Sequence, residues 1–443
     1  MSDGWAEVRV RTIVVLFTRD LRVHDNPALH AACAAAERVV PLFVLDPRVP
    51  SSPNRKRFLA ESVADLRESL RGRGGDLVIR KGDPVMQAVK LAKSVQAAAI
   101  GLTADVSAYA VDRQRRLAEA CAAEGINLRL FDAVTVVPAG AVRPGGGGDH
   151  YKVFTPYWRA WERVPRRDVL PPPGRLTLPD GVVVGDLPAT GRGGSTNVFA
   201  AGGETAGRQR LAAWQPMAPD YGQRHDDLPG AATSGLSPYL HFGCLSPLEL
   251  AAHAGMPAEY TRQLCWRDFY YQVLAGFPGL GTTAYRPGVV EEWHDHADAL
   301  AAWQEGRTGV PIVDAGMRQL VAEGFMHNRA RLITGSFLTK TLGVDWRAGA
   351  AWFARWLLDA DVANNNGNWQ WVAGTGNDSK PYRRFNPIRQ AGRFDPDGEY
   401  VRRYVPELAH LPGRTVHEPW LLPAAQTRGY PPPISVGSAD AVR

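Results

Sequence analysis

Over residues 12–140 short apolar runs rich in β-branched residues alternate with stretches of helical periodicity, and this alternation restricts the fold more than any other feature. The runs Thr12–Phe17, Val39–Leu45, Leu77–Lys81, Ala98–Leu102 and Asn127–Phe131 are predicted as strands. Pro27–Ala36, Arg55–Leu70, Pro84–Lys93 and Tyr109–Ala123 are predicted as the helices between them. Parallel strands need long crossovers and helices supply them, so the pattern implies a doubly wound, Rossmann-like parallel α/β sheet. No Gly-x-Gly-x-x-Gly follows the first run. The chain there reads Phe17-Thr18-Arg19-Asp20-Leu21-Arg22, which excludes a dinucleotide site of the usual kind.

From Pro138 to Gly203 the composition shifts to Pro and Gly, as in Pro144-Gly145-Gly146-Gly147-Gly148 and Pro171-Pro172-Pro173-Gly174. This reads as a linker, too poor in apolar periodicity to make a core, joining an α/β domain (1–140) to a domain that is helical throughout (204–443). One helical patch, Val153–Trp161, interrupts the linker (141–203) and is expected to dock on the second domain. A length of 443 residues agrees with two domains. With 45% hydrophobic and 22% charged residues the chain is globular, not disordered. Its net charge of +6 permits a polyanion partner without proving one. Cys33, Cys121, Cys244 and Cys265 show no Cys-x-x-Cys spacing, so neither a metal site nor a disulfide framework is expected. The start of the chain carries no signal-peptide pattern and no segment could span a bilayer, which predicts a cytoplasmic protein.

The densest cluster of chemistry is Leu357–Trp371. It reads as the end of an amphipathic helix (Trp352, Phe353, Trp356, Leu357) that breaks at an Asn-rich turn closed by Gly367. A helix end needs one Asn or Gly. Asn364, Asn365 and Asn366, with Asp359, Asp361, Trp369 and Trp371, exceed that need. Upstream, Gly324–Leu332 reads as a helix with His327 and Arg331 one turn apart and Asn328 and Leu332 on the neighbouring face. A buried charge needs a partner, so an Arg and two Asp near a buried turn suggest an ion pair that fixes a polar cofactor. Thr233-Ser234-Gly235-Leu236-Ser237 precedes another helix, where such residues either cap it or hold a phosphate. The chain has 13 Trp. Taken singly, Trp293 and Trp346 are core residues.

The order Met326-His327-Asn328-Arg329, then Asp359-x-Asp361, then Asn365-x-x-x-Trp369-x-Trp371 resembles the photolyase/cryptochrome family of flavoproteins, most closely the class I cyclobutane pyrimidine dimer photolyases. The similarity runs from Phe17 to Trp420. It implies non-covalent, reduced FAD held by Tyr221, Thr233, Ser234, Gly235, Leu236, Ser237, Arg267, Arg331, Asp359, Ala360, Asp361 and Asn365. In this assignment Asp359 pairs with Arg331, Asp361 lies against the flavin and Asn365 faces flavin N5. Trp293, Trp346 and Trp369 match the family's electron-transfer wire. Trp266 and Trp371 would sandwich a flipped-out dimer beside Gln263, and Asn328, Arg329, Arg384 and Gln390 would hold UV-damaged DNA.

The implied reaction is light-driven dimer splitting by an electron from excited reduced FAD, in a monomer without membrane attachment. Asp105 and Tyr109 sit where deazaflavin-type members flank an antenna pigment. An 8-hydroxy-5-deazaflavin is therefore expected, with a folate (methenyltetrahydrofolate) as the alternative; Asp105 can equally cap the following helix. Two departures bear on function. Gln263 stands where many dimer-repairing relatives have Glu, which keeps open a cryptochrome-type photoreceptor. Asn328 and Leu332 stand where (6-4)-repairing relatives have His, so (6-4) repair is not expected.

Overall fold

The computed structural model describes residues 10–191, 193–230, 232–378 and 380–434; the N-terminal stretch inspected above for a signal segment, and Arg192, lie outside them. Strands β1 (Val10–Phe17), β2 (Ala36–Leu45), β3 (Val78–Lys81), β4 (Ala99–Thr103) and β5 (Asn127–Phe131) form one parallel sheet in the order β3-β2-β1-β4-β5. Strands covered on both faces must be apolar nearly throughout, and β4 is buried along its whole length. Helices α1 (Pro27–Ala35), α2 (Pro53–Arg71), α3 (Pro84–Ser94) and α4 (Ala108–Ala123) cross between the strands. Asn26, Ser52, Asp83 and Ser107 cap them, and Pro follows the first three caps, where its missing N–H costs nothing. β2 begins at Ala36, earlier than periodicity places it, because Val10 of β1 already pairs with Ala36.

α5 (Phe154–Glu162), α6 (Glu204–Trp214), the single turn α7 (Tyr221–Arg224), α8 (Ser237–Phe242), α9 (Pro247–Ala252) and α10 (Ala258–Gly276) follow. Then come α11 (Ala297–Glu305), α12 (Pro311–Glu323), α13 (Asn328–Ser336), α14 (Trp346–Trp356), α15 (Val362–Ala373), α16 (Pro387–Phe394) and α17 (Glu399–Tyr404). The chain forms two compact units that are not consecutive in sequence: residues 1–192, 200–219 and 234–278 make one, and 193–199, 220–233 and 279–443 the other. Among the described residues no helix is long and apolar enough to cross a membrane.

Three local expectations change. The Gly/Pro-rich segment is not a bare spacer. Val184 accepts a backbone bond from Ile79 at 2.6 Å, Thr177 accepts one from Val39 at 3.0 Å, and Leu178, Val182 and Val184 cover the sheet core. Alternating single apolar residues suffice there because the segment lies on a surface already formed. Second, Gly324–Leu332 is not one helix: Gly324, at φ +68°, ends α12, and His327 caps the new helix α13. Third, Asn364–Gly367 is not a turn. The break falls at Leu357–Asp361, and the Asn run forms the first turns of α15. Asp361 accepts the Asn364 N–H at 2.7 Å, and this cap starts the helix despite the weak propensity of Asn.

The core of the second unit gathers Trp303, Phe337, Trp346, Phe353 and Trp369, with Trp293 packed against it.

Candidate functional site

The break between α14 and α15 determines where the polar residues of the second unit lie. Leu358 N–H bonds Gly324 O at 2.9 Å, which ties the break to the end of α12. Across that junction Arg331 Nη2 donates to Asp359 Oδ2 at 2.9 Å, while its Nε donates to Met326 O at 2.8 Å. Asp359 is nearly buried and Arg331 about a quarter exposed, so this is a geometrically fixed pair and not a solvated surface one. His327 Nδ1 accepts the Arg329 N–H at 3.2 Å, which leaves the proton on Nε2. That Nε2–H is buried and meets no acceptor among the described residues. Burial lowers the His327 pKa to about 4, so the ring is neutral.

On α15 the first two Asn have different tasks. Asn364 Nδ2 reaches Asp361 at 3.1 Å. Asn365 Nδ2 donates to Ala350 O at 3.0 Å, which fixes the amide's flip and leaves Oδ1 as its accepting side. Gln370, fully buried, donates to Leu280 O and Thr283 O at 2.8 Å each and accepts from Tyr285 N at 2.7 Å. It thereby sets the register of the indoles on either side. Trp369 is 4% exposed and edge-on to Phe353, 4.9 Å between centroids. Trp371 is half-buried, with the Arg383 guanidinium 5.1 Å over its ring and Phe385 tilted beside it at 6.3 Å. Trp346 is fully buried, and Ala360 is half-buried against the same core. Asn328 is exposed at the start of α13, Gln390 is half-buried on α16, and Arg384 is exposed and donates to Thr341 Oγ1 at 3.0 Å. Tyr221, on α7, is buried against His225. Thr233 is half-buried at the edge of this unit.

Arg329 needs correction. Its guanidinium grips Asp226 at 2.5 and 3.1 Å and lies 4.3 Å from the Phe394 ring centroid. Burial would raise the Asp226 carboxyl, but His225 and Arg329 hold it well below the usual range. Arg329 is thus an internal tie and not a free cation for a phosphate. Its partner lies 103 positions away, beyond the reach of periodicity.

In the other unit, Gln263 is exposed on α10 and Trp266 half-buried. Phe154 of α5 stacks on Trp266 at 3.6 Å with the planes 3° apart, so one indole face is taken. Arg267 also departs from expectation. It donates to Val134 O at 2.5 Å and Leu240 O at 3.4 Å and lies over Tyr271, binding backbone where a phosphate was expected. Ser234, Gly235 and Leu236 are buried and Ser237 is exposed. No side chain caps α8, because the cap position is Leu236; Ser234 Oγ accepts the Leu236 N–H (3.3 Å) and meets Tyr260 Oη (3.2 Å). Sequence reading missed Arg210, whose Nε donates to Ser234 O at 3.1 Å and whose guanidinium lies where a Gly235 Cβ would stand. Only the bare Gly in that loop hints at the close approach.

A third group lies past the carboxyl ends of β1, β2 and β4, which flank the point where strand order reverses. Asp105 pairs with Arg19 at 3.3 Å, and the cap of α4 is Ser107, so the capping alternative for Asp105 falls. Tyr109 Oη donates to Asp46 at 2.5 Å, and Arg48 and Arg113 approach its ring. Burial and Asp46 push the Tyr109 phenol up to about 12. Burial would raise Asp46, but hydrogen bonds from Arg48 and Tyr109 hold it at about 2. Nearby, desolvation of the His241 ring, with Arg19, Arg55 and Arg267 adding to it, holds its pKa well below the usual value and keeps it neutral.

The arrangement suits a flat, polar, redox-active ligand: a fixed Arg–Asp pair, an oriented amide, and indoles packed in the same buried core. No cluster of three or more potential metal ligands occurs among the described residues. Residues 13–174 match the DNA photolyase family and residues 260–441 the FAD binding domain of DNA photolyase. A deoxyribodipyrimidine photo-lyase of Streptomyces griseus is 49% identical over 438 residues, covering 95% of each chain. A class III photolyase from Agrobacterium tumefaciens superposes with a TM-score of 0.90 at 33% identity, over 97% of this chain and 95% of that one. A cryptochrome from Synechocystis sp. gives 0.87 at 31%, over 96% and 94%. With its parallel sheet, its match to the FAD binding domain and 49% identity to a relative over nearly its full length, the chain belongs to the DNA photolyase/cryptochrome family.

Proposed function

We propose that the chain is a light-dependent deoxyribodipyrimidine photolyase that reverses cyclobutane pyrimidine dimers in UV-damaged DNA. The observation that carries this reading is the state of Asn365. Its amide nitrogen is spent on Ala350 O, so Oδ1 is presented as an acceptor to an N–H such as that of reduced flavin N5. Bound FAD supplies the light-absorbing one-electron donor; the protein supplies orientation and electrostatics. Asp359 and Arg331 would hold it, with Asp361, Ala360, Tyr221 and the Thr233–Ser237 segment, to which Arg210 is added here. Trp369, Trp346 and Trp293 would return electrons from the surface when the flavin is oxidised.

For the substrate, Trp266 offers the face not covered by Phe154 and Trp371 offers its ring beside Arg383. A dimer pairs poorly in the duplex, so extruding it costs less than extruding normal bases. Stacking on these rings contributes roughly 1–3 kcal/mol per base. Asn328, Arg384 and Gln390, with Arg383, would line the DNA groove, and binding should weaken with salt. Gln263 can donate and accept hydrogen bonds to the dimer without titrating. The Arg19–Asp105 and Tyr109–Asp46–Arg48 groups support an antenna pigment, a deazaflavin ahead of a folate, because open α/β sheets bind ligands at the strand-order switch.

The test is repair of an oligonucleotide carrying one thymine dimer, in blue light and in darkness, with fully reduced protein. Repair in light alone is expected. Absence of repair by reduced, FAD-loaded protein would transfer the assignment to a cryptochrome-type photoreceptor, the reading Gln263 keeps open. The absorption spectrum of the isolated protein identifies the antenna.

A further inference from the structure

Glu291 lies in the irregular stretch before α11, and nothing in the repair chemistry above uses it. Its Oε1 accepts the Trp346 indole N–H at 3.1 Å. Arg347 binds the same carboxylate twice, Nη2 to Oε2 at 2.8 Å and Nη1 to Oε1 at 3.3 Å. That guanidinium also lies over the Trp346 ring, 4.8 Å from its centroid, and is anchored by Thr282 O at 2.8 Å. Trp293 turns its N–H toward Glu291 as well, without a hydrogen bond of regular geometry. Burial would raise the Glu291 pKa, but Arg347 and the two indoles outweigh it and keep the group ionised. Trp346 therefore has a fixed anion at its edge and, over its face, a fixed cation that Asp345 also binds at 3.1 Å. At Trp293 the structure shows the anion and, among the described residues, no stacked cation.

A cation over a neutral indole is attracted to the negative π face. Once the ring has lost an electron the sign reverses and the cation repels it, and in a partly buried setting Coulomb energies are several-fold larger than in water. Arg347 thus disfavours positive charge on Trp346, whereas Glu291 favours it on both rings. The difference is a field with a direction.

We propose that the Glu291–Arg347 pair drives positive charge outward along the tryptophan relay, from Trp346 to Trp293. This rests on the relay assigned above. The electron that Trp369 gives to light-excited oxidised FAD is replaced from Trp346, and that one from Trp293. One electron is gained at the cofactor and one lost at Trp293, until an added thiol returns it. Trp346 is fully buried and Trp293 is not, so the outward step also carries the charge to where a thiol can reach it.

Glu291→Gln removes the charge but keeps a carbonyl acceptor for the indole N–H. In time-resolved absorption of tryptophan radicals, E291Q should lose its charge-separated state about tenfold faster than wild type. Its yield of photoreduction should fall, with FAD content and repair by chemically reduced protein unchanged. Glu291→Asp should restore the lifetime in part; equal defects in E291D and E291Q would mean packing and overturn the proposal. Arg347→Gln is the independent arm, and in it the delay before the Trp293 radical appears should lengthen. Trp346→Phe separates the two levels. If W346F still photoreduces FAD, the relay itself is wrong; if W346F fails while E291Q and R347Q behave as wild type, only the directing role is overturned.

Discussion

Trp369 and Trp371 are two residues apart on one helix and consequently do different work. Trp369 is enclosed so tightly that a Cβ on Gly349 would stand 2.2 Å from its ring and 2.6 Å from Leu338. Gly349→Ala should force the indole to shift, destabilise the protein by about 1–3 kcal/mol, and slow photoreduction. Thermal unfolding and flavin photoreduction measured on the same samples check this, and an unchanged midpoint would show that Trp369 can move without cost. Trp371 sits under Arg383 and is only half-buried. Trp371→Ala should weaken binding of dimer-containing DNA by roughly 1–3 kcal/mol while leaving undamaged DNA nearly unaffected. An equal loss on both DNAs in a titration would remove its stacking role. The identities of these rings could be read from spacing. Their environments could not, because Gly349 and Arg383 reach them through packing.

At the scale of elements, α5 shows how a piece of linker becomes part of a site. Two backbone–side-chain bonds of 2.8 Å join Tyr151 and Gln272, and Asp268 Oδ2 accepts Trp161 Nε1, Val136 N and Val137 N at 2.9 Å each. With α5 pinned in this way Phe154 lands on Trp266. Burial raises Asp268 to about 6 despite Arg267 and these donors. A carboxyl whose folded pKa exceeds its unfolded value adds stability at low pH, and that stability is lost as pH rises through the folded pKa. Asp268 should therefore cost the fold stability as pH rises from about 4 to about 6, on the order of 3 kcal/mol. Denaturant titrations of wild type and Asp268→Asn should diverge across that interval, wild type losing stability relative to the variant as pH rises. Parallel curves would show that the carboxylate is better solvated than its burial implies. The Asn run makes the complementary point: three Asn look like a turn, yet one well-placed cap at Asp361 turns them into a helix whose amides fan out to separate partners.

For the molecule as a whole, repair and photoreduction should be separable. Trp369→Phe is expected to abolish photoreduction of oxidised FAD, while protein reduced beforehand by dithionite continues to split dimers in light. Unchanged photoreduction would reject the relay. The sequence by itself determined the parallel sheet, the strands and helices of residues 12–140 to within a few residues, and the family, because periodicity, N-caps and closely spaced motifs are local and survive without knowledge of the rest of the chain. Only the tertiary structure decided that Arg329 belongs to Asp226, that Arg267 serves backbone carbonyls, that Arg210 attends the Ser234 loop, and that Glu291 and Arg347 flank Trp346. Each of these is a charge finding its partner from another element, and a charge forced out of water takes the partner that folding brings within reach, however far away that partner lies in the chain.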